Sequence, residues 1–287
     1  MLLLSRADIK SVFSMNDSIE AVKKAFMLYS DGKSEVPLRT NIQVPEHNGT
    51  LLFMPAYVGE LDTASLKIVN IFPENMKKGL PTAPAQVLLI DTTTGIVVAV
   101  LDGTYVTQLR TGAASGAAFD ALAVKDARVG ALIGTGGQAA TQLEAMLCAR
   151  KLEKVKIFDM CKERLDAFVE RMSVELAEYG AELIAAESSD DAVTDADILV
   201  TMTPAKRPVF DASKCKKGVT VSCVGAYQPD MQEMDPVILE RANKIYFDSR
   251  SAVLAESGDI LIPLKEGRIT EDDFTGELGE VLAGRLV

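Results

Sequence analysis

Short apolar runs punctuated by turn residues fill the first hundred positions, and they predict strands at residues 2–4, 39–44, 50–55, 65–69, 85–91 and 96–101. Thr92-Thr-Thr-Gly95 between the last two reads as a hairpin loop. One helix interrupts this series. Ser14-Met-Asn-Asp17 is a capping box, Ile19, Val22, Phe26 and Tyr29 recur at spacings of three and four, and Gly32 follows as the stop. The sum is an α+β unit dominated by antiparallel strands. From residue 128 the pattern changes to strand and helix in alternation, with apolar runs at 129–133, 155–158, 183–185, 197–201, 219–223 and 244–247. Six such runs predict a doubly wound parallel sheet, and hence an α/β protein.

Between the halves, residues 107–123 form a helix whose Ala113, Ala114, Gly116, Ala117 and Ala118 leave a surface smooth enough for close packing. It is expected to act as the hinge helix linking two domains, 1–112 and 113–287. No internal repeat or low-complexity tract is present.

The run Val129-Gly-Ala-Leu-Ile-Gly134-Thr-Gly136-Gly-Gln-Ala139 leads from a strand through a glycine turn into a helix spanning residues 138–150. Gly134 permits the tight turn, Gly136 lets backbone N–H groups approach a pyrophosphate, and the small Ala139 lets helix and strand pack closely. The helix directs its positive end at the same phosphates. Twenty residues after Ala139, the next strand ends in Asp159, which can accept both ribose hydroxyls of an adenosine and would repel a 2′-phosphate. No arginine follows at once in Met160-Cys161, although Lys162 is close. This Rossmann-type reading favours NAD(H) without excluding NADP(H); a glycine turn of another doubly wound fold, with Asp159 as a helix cap, is the plainer alternative.

Composition, 48% apolar and 25% charged, is that of an ordinary globular protein. With 30 basic against 41 acidic residues the net charge is −11, which argues against nucleic acid as a partner. The longest apolar run, residues 96–101, is far short of a membrane span, and the opening residues turn polar too early for a signal peptide; a cytoplasmic protein is expected. Cys148, Cys161, Cys215 and Cys223 form no Cys-x-x-Cys pair and lie near no histidine, so no metal site is expected, only reduced and mostly buried thiols.

Several stretches together resemble the ornithine cyclodeaminase/mu-crystallin family. They are Phe53-Met-Pro-Ala-Tyr57, Leu66-Lys-Ile-Val-Asn70, Leu109-Arg-Thr-Gly-Ala-Ala-Ser115, Ile133-Gly-Thr-Gly-Gly-Gln138, Val224-Gly-Ala-Tyr-Gln-Pro229 and Gly276-Glu-Leu-Gly-Glu-Val-Leu-Ala-Gly284, in the family's order along nearly the whole chain. The resemblance implies an amino-terminal substrate and dimerisation domain, a nucleotide domain, a homodimer, and hydride chemistry at the α-carbon of a small amino or imino acid. By the same resemblance Arg39, Lys67 and Arg110 grip the substrate carboxylate, with Lys67 and Arg110 the catalytic pair. Met54, Thr82 and Tyr227 line the substrate pocket, and Thr111, Gly134, Thr135, Gly136, Gly137, Gln138, Asp159, Thr203 and Val224 hold the cofactor. Guanidinium and ammonium donors are the groups that orient a carboxylate for hydride transfer. Lys67 is telling because it interrupts an apolar strand, where its plainer role is a lysine snorkelling from an edge. A methionine in an apolar strand, such as Met54, is usually core. His47, the only histidine, belongs to a polar turn.

Two departures from the family narrow its implications. The cyclodeaminase branch carries an aspartate just after the Val-Gly-Ala turn and an acidic residue shortly before the Met-Pro pair, where this chain has Tyr227 and Leu52. A tyrosine with an ordinary pKa near 10 is a poor base at neutral pH, so reduction of a ketimine such as Δ1-pyrroline-2-carboxylate is favoured over ornithine cyclisation. Alanine dehydrogenase-like chemistry and a non-catalytic, mu-crystallin-like role in binding nucleotide and ligand are the alternatives. Second, family members continue past the Gly-Glu-Leu-Gly block with a strand and a helix that return to the first domain, and this sequence ends at Val287.

Overall fold

The structure, a computed structural model, describes residues 1–286. These divide into two compact units, Met1–Arg110 and a second that starts at Thr111.

In the first unit, β1 (Leu2–Leu4) leads into α1 (Arg6–Val12) and α2 (Met15–Ser30). Both helices open on a capping box, Ser5 with Asp8 and Ser14 with Asp17. α1 is an addition to the expected elements, and Ser5-Arg-Ala-Asp8 carries the same signal as Ser14-Met-Asn-Asp17. Gly32, at φ +68°, follows α2 in the left-handed region that glycine adopts without strain. The sheet comprises β2 (Ser34–Glu35), β3 (Thr40–Val44), β4 (Gly49–Val58), β5 (Thr63–Ile71), β6 (Ala85–Asp91) and β7 (Val97–Asp102). With β1 its order is β1-β7-β6-β5-β4-β2, and β3 also pairs with β4. All pairs are antiparallel except β1 with β7.

Register decides what faces the core. Leu52, Val69 and Ala85 stand in one row across β4, β5 and β6 and are all buried. Two positions along, and therefore on the same face, lies the row Met54, Lys67, Val87. The lysine thus projects from the apolar face of the sheet. After β7 the chain enters α3 (Gly103–Leu122), whose start is fixed against β6: the Thr104 hydroxyl accepts the Ala85 N–H at 2.9 Å, and a Cβ at Gly103 would lie 2.6 Å from the Gln86 backbone.

The second unit begins within α3. It continues through β8 (Val129–Ile133), α4 (Ala139–Ala149), β9 (Lys154–Phe158), α5 (Lys162–Glu175), β10 (Glu182–Ala185), α6 (Ser189–Val193), β11 (Ile198–Thr201) and β12 (Thr220–Cys223). These strands form one all-parallel sheet in the order β10-β9-β8-β11-β12, the doubly wound arrangement expected from the alternating pattern. Both faces are covered. Leu132, Val155, Ile157, Ile198 and Val200 pack with Phe119, Leu143, Met146 and Phe168 in one core, while the intervening Ala131, Ile133 and Leu199 pack with Val193 and Phe210 in another. Of the small residues expected to allow close packing of α3, Ala113 and Ala117 are fully buried, and at the neighbouring Gly112 a Cβ would lie 2.4 Å from the Thr141 carbonyl oxygen in α4.

The chain ends through α7 (Pro236–Glu240), β13 (Tyr246–Phe247), α8 (Arg250–Glu256), α9 (Gly258–Lys265), β14 (Gly276–Glu277) and α10 (Leu278–Leu282). Here one expectation fails. The run at 244–247 is not a sixth strand of the sheet but pairs with β14, because Phe247 is drawn into a third core with Met234, Ile260 and Ile269 and meets Phe274 edge to face at 4.9 Å. Of the four free cysteines only Cys215 is buried; Cys148 and Cys223 are half-buried and Cys161 is exposed, so the thiols are not mostly buried. Among the described residues no helix is long and apolar enough to cross a membrane.

Candidate functional site

The glycine turn sits at the carboxyl end of β8. Gly134 adopts φ +102°, a conformation that favours glycine, and its N–H donates to the Phe158 carbonyl at 2.8 Å. The turn then exposes Gly136 and Gly137, and a Cβ built on Gly136 meets nothing within 4 Å. Gln138, the residue before α4, gives no side-chain cap and the first turn holds no acid, so the orphan N–H groups and positive end of the helix are left to an anion. Ala139 is fully buried against the sheet. An open glycine turn before an uncapped helix of this length is the donor set that a pyrophosphate requires.

Asp159, at the end of β9, is tied to this turn. Its Oδ2 accepts the Thr135 N–H at 2.9 Å and the Thr135 hydroxyl at 2.7 Å; its Oδ1 accepts the Cys161 N–H at 2.9 Å. The last contact is cap-like, so the plainer reading of Asp159 describes part of its environment. Arg164, in the first turn of α5, adds bonds of 2.5 Å to Oδ1 and 3.2 Å to Oδ2. Burial alone would raise the Asp159 carboxyl, but the bonds from Arg164, Cys161 and Thr135 outweigh it and hold the group at about 2. Met160 and Cys161 supply no arginine to receive a phosphate, as the sequence shows, but one helical turn brings Arg164 back over the carboxylate, while Lys162 is engaged 2.9 Å away by Asp166.

Thr203 and Val224 lie on the loops that leave β11 and β12. A residue missed in the sequence joins these loops. The buried Glu233 accepts the N–H of Thr203 through one oxygen and that of Gly225, at 2.6 Å, through the other. Asp259 accepts in turn the N–H groups of Glu233 and Met234, at 2.7 and 2.8 Å. The signal was present in Met231-Gln-Glu-Met234, where a glutamate lies between methionines. Tyr227 is 42% exposed and engages the Gly225 carbonyl only through its backbone N–H. Thr111 accepts a bond from the buried Gln142 amide through its carbonyl oxygen.

In the first unit the structure brings three of the named cations together. Lys67 projects from the apolar face of β5 beside Met54; burial, then the charges of Arg110 on α3 and of Arg39 before β3, lower its ammonium to about 7. Three cations gathered on an apolar surface form a receptor for an anion. Thr82 is exposed and holds the Phe72 N–H through its carbonyl oxygen. His47 ends the short 3₁₀ turn Pro45–His47.

The sequence pattern of the ornithine cyclodeaminase/mu-crystallin family matches residues 1–287. A Delta(1)-pyrroline-2-carboxylate reductase of Bacillus cereus is 35% identical over 284 residues, covering 99% of this chain and 86% of that protein. Among solved structures, Thermococcus litoralis Delta(1)-pyrroline-2-carboxylate reductase in complex with NADH and L-proline is 41% identical, with a TM-score of 0.94 over 100% of this chain and 87% of that one. An archaeal alanine dehydrogenase dimer with bound NAD is 34% identical, with a TM-score of 0.89 over 100% and 86% of the two chains.

Proposed function

The chain belongs to the ornithine cyclodeaminase/mu-crystallin family, and from that premise we propose that it is an NAD(H)-dependent reductase of small cyclic ketimines bearing a carboxylate, with Δ1-pyrroline-2-carboxylate as the leading substrate. The observation that carries this is the half-buried Lys67 flanked by the charges of Arg39 and Arg110. Such a cluster binds the substrate carboxylate and fixes its orientation. Lys67, whose ammonium is lowered to about 7, holds a proton at Nζ that it can release near neutral pH, and protonation of the imine nitrogen makes the adjacent carbon electrophilic. Met54 offers an apolar wall beside the ammonium, and Thr82 is the further residue of the first unit assigned to the substrate.

A bound reduced nicotinamide supplies the hydride. Thr135, Gly136, Gly137 and Gln138 with the start of α4 would hold its pyrophosphate, and Asp159 its adenosine ribose. Thr111, Gly134, Thr203 and Val224 complete the cofactor set. The two similar solved structures, with NADH and with NAD, support this choice of cofactor. The same proposal sets the protein in the cytoplasm as a homodimer. Oxidation of NADH, followed by its absorbance across a panel of cyclic imino acids and of pyruvate with ammonia, tests it. Turnover confined to the cyclic imines supports the reductase; turnover of pyruvate with ammonia alone favours an alanine dehydrogenase, and none with any substrate a binding protein.

A further inference from the structure

Asp159 has no acceptor capacity to spare. A carboxylate offers about four lone-pair sites, and five donor contacts already converge on this one: the N–H and hydroxyl of Thr135, the N–H of Cys161, and two nitrogens of Arg164. A ribose that donates its hydroxyls to Asp159 must displace something. Thr135 is fixed by the glycine turn and Cys161 by the start of α5, and the Asp159 side chain is only 4% exposed. Arg164 is the yielding partner, with its side chain 52% exposed on a long, flexible stem.

The placement of this arginine is itself unusual. A cation in the first turn of a helix stands against the helix dipole, and Asp159 offsets that cost. Once a ribose takes its place on the carboxylate, the guanidinium stays beside the 2′ and 3′ positions. It carries the planar pair of donors that suits a phosphate. An unpaired aspartate would repel a 2′-phosphate, whereas an aspartate matched by an arginine presents no net charge.

We propose that the Arg164–Asp159 pair is a two-way ribose subsite, in which Asp159 receives the hydroxyls of NADH and Arg164 receives the 2′-phosphate of NADPH, so that the chain binds both. This rests on the assignment of Asp159 to the adenosine ribose in the proposed function. It goes beyond it by placing acceptance of the phosphate on one residue outside the glycine motif.

The test is equilibrium binding of NADH and NADPH, followed by nicotinamide fluorescence, to the wild type and to Arg164→Ala and Arg164→Lys. The wild type is expected to bind the two nucleotides within about tenfold of each other. Arg164→Ala should weaken NADPH by about tenfold or more while leaving NADH unchanged or tighter, because a competitor for Asp159 is gone. Arg164→Lys should recover part of the NADPH affinity. Equal losses for both nucleotides in Arg164→Ala would mark a merely structural arginine and overturn the inference alone, as would an unchanged ratio. Failure of the wild type to bind either nucleotide would overturn the proposed function as well.

Discussion

The carboxylate of Glu233 accepts the backbone N–H of Gly225 at 2.6 Å, and a Cβ at Gly225 would fall 2.4 Å from that same carboxylate and 2.2 Å from the Thr203 carbonyl oxygen. One side chain thus ties the loops after β11 and β12 together, at the carboxyl ends of the strands where Thr203 and Val224 stand. Gly225→Ala should therefore lower the melting temperature sharply, since the backbone oxygen it strikes cannot swing aside. Glu233→Gln places an amide N–H₂ against a backbone N–H and should cost ~1–3 kcal/mol at pH 5.

The pH dependence of that cost has a definite sign. Burial raises the Glu233 carboxyl, and the N–H groups of Thr203 and Gly225 draw it back only to about 7, against an ordinary 4.5. A carboxyl raised by folding contributes stability that is fully present below pH 4.5 and is lost as pH rises through 7. Urea unfolding at about pH 5 and about pH 8 should show the gap between wild type and Glu233→Gln narrowing at the higher pH, by at most ~3 kcal/mol. A gap that widens instead would mean that the carboxylate is held ionised.

Lys67 should make carboxylate binding pH-dependent. Burial and the two arginine charges bring its ammonium to about 7, so above that pH the cluster loses a positive charge. The affinity for pyrrole-2-carboxylate, which does not itself titrate in this range, is expected to fall roughly tenfold between about pH 6 and about pH 8. Calorimetry should record proton uptake on binding at the upper end of that range. In Lys67→Met the profile should be flat and the affinity low throughout.

The same cluster is expected to act on substrate capture and on the chemical step together. Lys67→Ala or Arg110→Ala should lower kcat/KM for imine reduction by about two orders of magnitude or more, equivalent to ~3 kcal/mol of a charge-assisted contact. Nucleotide affinity, measured by fluorescence, should scarcely change. Unchanged kcat/KM in Lys67→Ala would remove that residue from the site.

Legibility in the sequence followed the range over which each signal acts. The strand-turn-helix at Val129–Ile133 and Ala139–Ala149 is written in adjacent residues, and so the glycine turn, its helix and the parallel sheet were readable. Phe247 was not, because whether its strand joins the main sheet or pairs with Gly276–Glu277 is decided by partners far along the chain. The Arg164 contact was missed for a shorter-range reason. Met160 and Cys161 are the neighbours of Asp159 along the chain, whereas the first helical turn returns Arg164 to it. Lys67 stands out in the sequence because it interrupts an apolar strand, but its lowered ammonium depends on burial and then on Arg110 and Arg39, which only the folded sheet and helix supply.

A dimer is expected from what the first unit leaves uncovered. Leu2 and Leu3 on the edge strand β1 are 63% and 72% exposed, and Leu38 and Ile42 by β3 are 69% and 48% exposed. Edge strands carrying such residues invite pairing with a second copy, and closed two-fold assembly is the commonest way to cover them. Light scattering at micromolar concentration should give twice the chain mass. Leu2→Lys combined with Leu3→Lys should shift the population toward monomer, and a wild type that is monomeric would remove the expectation.

L-Ornithine offered with NAD should yield little proline and ammonia. Cyclisation needs a group that takes the proton and positions the side-chain amine, and the two positions where the cyclodeaminase branch has acids are Leu52 and Tyr227 here. Leu52 is buried in the core row with Val69 and Ala85, so it cannot present a polar atom to a substrate. Tyr227 is exposed, and a phenol is a weak base at neutral pH. Tyr227→Phe should accordingly lower the rate of imine reduction by less than about tenfold, far less than the change at Lys67. Tyr227→Asp restores only one of the two acids and should leave proline formation low. Efficient proline formation by the wild type would reverse the choice between reductase and cyclodeaminase.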